Sequence, residues 1–139
     1  MCLSAGVSFT ASVLLTGGGV AIVAKAMQRN LRYLPLGLMP LFAGIQQFME
    51  GNVWVGVNTG NHLMLVWGAM GFIFFTWFMW PFWIPFAVWA LEKPTSPRRP
   101  WFLAMAFLGL VLGVLLYVPH GLGTDWLVVT VNHRLTVFG

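Results

Sequence analysis

The chain has 139 residues, of which 59% are hydrophobic and 7% are charged. About a quarter of a soluble domain carries charge, so seven basic and three acidic residues cannot clothe a water-facing globule, and the solvent is lipid. The net charge of +4 falls in two short clusters instead of an extended basic face, which excludes nucleic acid as a partner.

A bilayer crossing takes about 20 apolar residues, and four such runs fit the chain. The N-terminus lacks the basic segment and cleavage site of a signal peptide. The first predicted span covers residues 5–27. Ser4, Ser8, Ser12 and Thr16 recur every fourth position and share one face. Small hydroxylated residues let helices approach closely in lipid, so this face reads as a packing seam. Gly17, Gly18 and Gly19 follow, and the triple glycine is expected to loosen the helix locally.

The second span covers residues 33–57, and Pro40 is expected to kink it. It carries GIQQFMEGNVW, residues 44–54, with Gln46, Gln47, Glu50 and Trp54 gathered toward one face. Gln46 can donate to Glu50 from one turn below. A carboxylate at membrane depth is expensive unless paired or hydrated, which makes it a functional-site candidate by default.

The third span, residues 63–91, contains WFMWPFWIPFAVW, where Pro81 and Pro85 are expected to bend it and its tryptophans favour an interface. The fourth covers residues 101–118, with Gly109 and Gly113 as a G-x-x-x-G packing face. A loop at 119–125 leads into a tail ending at 139. There Val129, Val131, His133 and Leu135 alternate with polar residues, a strand-like period. The tail reads as a short strand or an interfacial segment.

The fold class is therefore an all-α membrane protein of four transmembrane helices in a single domain, with short loops. Lys25, Arg29 and Arg32 close the first span, and Lys93, Arg98 and Arg99 precede the fourth. Basic loops stay cytoplasmic, so both termini lie outside, on a bacterial inner membrane. His62, His120, His133, Cys2 and Asp125 then fall toward the outer side with Glu50.

Three functions fit. The first is an accessory subunit of a larger energy-transducing complex, respiratory or photosynthetic, packing against other membrane-protein subunits, bound lipid or a chlorophyll-type pigment. The second is a metal or haem site drawn from Cys2, Glu50, His62 and His120, residue types that suit transition metals. The third is an enzyme moving protons between Glu50 and a histidine, although no nucleophile motif or phosphate loop accompanies it.

MCLSAGVSF at the start and FAGIQQFMEGNVW at residues 42–54 resemble a family of uncharacterised small bacterial integral membrane proteins. Its members open Met-Cys-x-Ser-Ala and carry Gly-Ile-Gln-Gln…Glu-Gly…Trp in the second span. The resemblance covers residues 1–60 and makes Cys2, Ser4, Gln46, Gln47, Glu50, Gly51 and Trp54 family positions. It implies a multi-span membrane protein and names no reaction.

Overall fold

The computed structural model describes residues 4–123, 128–131 and 135–138. Helix α1 spans Ala5–Arg29. Ser4 starts it, its hydroxyl accepting from the Val7 amide at 3.3 Å. The helix runs unbroken through Gly17–Gly19, so the expected loosening does not occur. With no water in a bilayer to compete for backbone groups, the helical bonds outweigh the freedom of glycine. Asn30 ends α1 in an extended conformation and its side chain accepts from the Arg32 amide.

A 3-10 turn at Leu31–Tyr33 and a single helical turn, α2 (Leu34–Gly37), lead into α3 (Met39–Thr59). The run expected as one helix from residue 33 is thus divided. Pro40 stands in the first turn of α3, where no amide hydrogen is required of it, and so starts a helix instead of kinking one. Helix α3 stops at Gly60, whose φ of 67° is the left-handed conformation that glycine adopts without penalty. Asn61 then caps the next helix by accepting from the Met64 amide at 3.1 Å.

That helix is 30 residues long, His62–Leu91, in three parts. Regular α4 (His62–Ile73) widens into a π-helical segment, Phe74–Met79, and narrows again into α5 (Trp80–Leu91). Pro81 and Pro85 cannot donate to the carbonyls four residues earlier, and the widened turn falls just before the first of them. After the loop at 92–98, α6 runs Arg99–Gly121. The segment expected to be a loop from residue 119 is therefore helical as far as Gly121. Pro119 already has helical φ, and the His120 ring donates to the Leu116 carbonyl one turn back on the same helix. Beyond it, β1 (Val128–Val131) and β2 (Leu135–Phe138) pair antiparallel, Val129 opposite Val137.

Glycines set the packing. A Cβ at Gly19 would lie 2.7 Å from the Leu41 amide nitrogen, and one at Gly44 would meet Thr16. Gly56 lies on Leu65 and Gly68 on Val53. Gly109 and Gly113 of α6 lie on Pro81 and Phe78. These pairs fix α1 antiparallel to α3, α3 to α4, and α5 to α6, in a row. Val53, Trp54 and Ala69 form the buried core, with Ala5, Val57 and Leu65 packed against it. The outer helices expose broad apolar faces, including Val13, Leu14, Phe107 and Leu115.

Three helical stretches, Ala5–Arg29, His62–Leu91 and Arg99–Gly121, are long and apolar enough to cross a membrane. Helix α3 has 21 residues, about 31 Å at 1.5 Å per residue, but its amides and Glu50 lower its apolar character. The alternating directions place Lys25, Arg29, Arg32, Lys93, Arg98 and Arg99 at one end of the bundle. Gly60 and His62 lie at the other.

Candidate functional site

The polar residues of α3 divide between two neighbours. Gln46 reaches the bent helix. Its Oε1 accepts from Trp80 Nε1 at 2.7 Å, and its Nε2 donates to Thr76 Oγ1 at 3.1 Å. The Thr76 hydroxyl donates in turn to the Phe72 carbonyl at 3.2 Å. Sequence spacing suggested that Gln46 would serve Glu50 along its own helix, whereas its amide is committed across the interface. Both amide atoms find partners on the facing helix, one turn apart, which the Glu50 carboxylate could not offer. Below this clasp, Trp83 Nε1 donates to the Pro35 carbonyl at 2.8 Å, and Phe42 meets the Trp83 ring edge-on at 4.9 Å.

Glu50 is completely buried, 0% exposed, as is Ser8 of α1. Trp54, one turn beyond Glu50, is buried in the core. The register places Ser8 and Glu50 at similar depth, since Gly51 lies against the Phe9 ring and Gly44 against Thr16. Ser12 is buried and Thr16 half-buried on the same face of α1, while Ser4 is exposed and acts as the cap. Ser8 Oγ and Trp54 Nε1 are buried without a hydrogen-bond partner among the described residues. A hydroxyl, an indole N–H and a carboxyl are thus shut away from solvent at neighbouring levels of α1 and α3. Gln47 is half-buried beside them.

The histidines do not join this group. His62 is exposed in the first turn of α4. Gly68 packs on Val53, so the level of Glu50 is near Met70, eight residues further along, or roughly 12 Å at 1.5 Å per residue. His120 lies on α6, its ring edge-on to Trp77 at 4.9 Å. Among the described residues no three of His, Cys, Asp and Glu gather where a metal could sit. Cys2, Asp125 and His133 lie outside the described residues.

Sequence reasoning missed Thr76, Trp80 and Trp83 as partners of α2 and α3. A signal was present. Thr76 is the lone hydroxyl in the apolar run 63–91, and Trp80 stands one turn after it. A second polar feature lies at the basic end. A cleft of about 690 Å³ is lined by Ile22, Lys25, Ala26 and Arg29 of α1 and by Tyr33, Leu36 and Pro40 of the returning segment.

Neither a curated protein nor a solved structure matches the chain. A family model does, and its match runs from residue 1 to 128, far beyond the first 60 residues on which the resemblance was read. The chain belongs to that family, a family of unknown function (DUF6629).

Proposed function

We propose that the protein crosses a bacterial inner membrane four times, with both termini outside, and serves as an accessory subunit whose outer faces pack against partner helices. The length of α3 supports a fourth crossing. Its 21 residues match a hydrocarbon core of about 30 Å, and two of its polar side chains are provided for within the chain, Gln46 by hydrogen bonds to Thr76 and Trp80 and Glu50 by full burial. The two basic clusters at one end support the orientation, because basic loops are retained in the cytoplasm.

The observation that carries the subunit role is the outer surface of α1. Gly17 and Gly18 are exposed, and nothing lies within 4 Å of a Cβ placed on either. Beside them a groove of about 400 Å³ is lined by Ser12, Val13, Thr16, Gly17, Ile45 and Phe48. Lipid tails gain nothing from small residues and hydroxyls, whereas a second helix gains close contact and hydrogen bonds. From Gly19 through Gly113 the glycines of the long helices are filled by neighbours within the chain.

Native electrophoresis of gently solubilised membranes tests this. The protein is expected to comigrate with a larger complex, and Gly17→Leu is expected to release it while leaving its own fold intact. A lone monomer in both cases removes the subunit role.

A further inference from the structure

The cleft at the basic end is built from two helical stripes facing each other. Ile22, Lys25, Ala26 and Arg29 follow i, i+3, i+4, i+7 spacing on α1, and Tyr33, Leu36, Gly37 and Pro40 repeat it on the return. The turn at Leu31–Tyr33 brings the stripes together. Gly37 opens the floor, since a Cβ there would touch Ile22 and Ala26 at 3.4 and 3.5 Å. The Trp83 bond to the Pro35 carbonyl holds the far wall. The floor is apolar, and Lys25 and Arg29 stand on one side of the opening, with the exposed Tyr33 ring on the other.

We propose that this cleft holds one anionic phospholipid, its phosphate between Lys25 and Arg29 and the start of an acyl chain along Ile22, Ala26, Leu36 and Pro40. A volume of about 690 Å³ lies within the ordinary range of ligand pockets. Neither cation forms an ion pair among the described residues. The described acids are Glu50, which is fully buried, and Glu92 beyond α5, so the described residues supply no exposed acidic patch with which a second copy could fill the site. A free phosphate would leave the apolar floor wet. Basic pockets between helices on the cytoplasmic side are the sites where anionic headgroups bind. The inference rests on the bilayer placement proposed above and is independent of the subunit role.

The test is native mass spectrometry of the full chain in mild detergent with an equal mixture of phosphatidylglycerol and phosphatidylcholine of matched chains. Retention is expected to favour phosphatidylglycerol by about tenfold or more, because the choline ammonium cancels the phosphate charge that phosphatidylglycerol leaves for Lys25 and Arg29. Lys25→Gln with Arg29→Gln is expected to abolish the preference. Ile22→Trp keeps both cations but fills the floor, and is expected to lose the lipid. Equal retention of the two lipids by the native chain overturns the proposal without recourse to any variant. So does lipid retained by Ile22→Trp, a preference surviving in the double variant, or displacement by millimolar inorganic phosphate, which would make a free anion the occupant. Alkaline extraction of membranes separates the two levels of failure. Release of the chain refutes the bilayer placement, whereas a chain that stays in the membrane and shows no lipid preference refutes the cleft alone.

Discussion

The clasp between Gln46 and the bent helix can be weighed. Gln46→Leu removes two interhelical hydrogen bonds, to Trp80 at 2.7 Å and Thr76 at 3.1 Å, and leaves the indole N–H without its acceptor. Hydrogen bonds between membrane helices average about 0.6 kcal/mol and reach about 1.7, so the substitution is expected to cost about 1–3 kcal/mol. Trp80→Phe costs stability through lost packing as well, so the bond itself is read from a double-mutant cycle. Reversible unfolding of the two single variants and the double variant, in mixed micelles with increasing denaturing detergent, gives the coupling. A value of about 0.6–1.7 kcal/mol is expected for the Gln46–Trp80 pair. Losses that add to within about 0.5 kcal/mol, as for independent sites, would mean that the short Nε1–Oε1 bond holds nothing together.

Other outcomes follow from the same geometry. A Cβ at Gly109 would collide with the Pro81 carbonyl oxygen, so Gly109→Ala is expected to lose about 1–3 kcal/mol or more in the same unfolding assay. Gly18→Ala, in open space, should be neutral or gain about 0.4–1 kcal/mol; matching losses at the two sites would contradict the packing. Glu50→Gln keeps volume and an acceptor and is expected to change stability by about 1 kcal/mol or less. Glu50→Ala, which opens a cavity at a fully buried position, should cost about 2 kcal/mol or more, and equal effects would remove the case for a packed polar site. In a Cys2→Ser background, an impermeant thiol reagent on intact cells is expected to label Asn58→Cys, and Thr95→Cys only after permeabilisation. Labelling of both from one side would leave the bent helix without a crossing.

The membrane class and the packing faces were legible because they depend on composition and spacing. Ten charges in 139 residues dictate the solvent, and Gly109 and Gly113 lie where a four-residue repeat puts them, on one face of α6 against Phe78 and Pro81. The break at Leu38 was less legible. A proline disrupts a helix interior but is accommodated in a first turn, and only the fold decides whether Pro40 interrupts a helix or begins one. Helical continuity past Pro119 was hidden for the same reason. The polar site was read in part. Burial of Glu50 follows from its place in an apolar run, but the partner of Gln46 does not. Gln46 and Glu50 stand one turn apart on α3, and sequence spacing alone favours a bond between them. The competing partners lie 30 and 34 residues away, at a register set by Gly68 on Val53 and by the extra residue of the π-helical turn.

That turn explains why the row of helices holds as one body. Gln46 of α3 grips Thr76 and Trp80 from one side, and Gly113 and Gly109 of α6 lie on Phe78 and Pro81 from the other. Residues 76–81 are therefore the strip of chain that both neighbours grasp. A regular helix would offer each neighbour a narrow face and a full set of paired carbonyls. Here Pro85 withholds the α-helical donor from the Pro81 carbonyl, and Gly109, with no side chain in the way, brings its backbone close to that oxygen. Close Cα–H contacts of this kind are individually weak, but in lipid no water competes for the acceptor. The prolines that weaken the helix thus create acceptors that glycines of the next helix can cover, and the site of the bend and the site of helix association coincide for that reason.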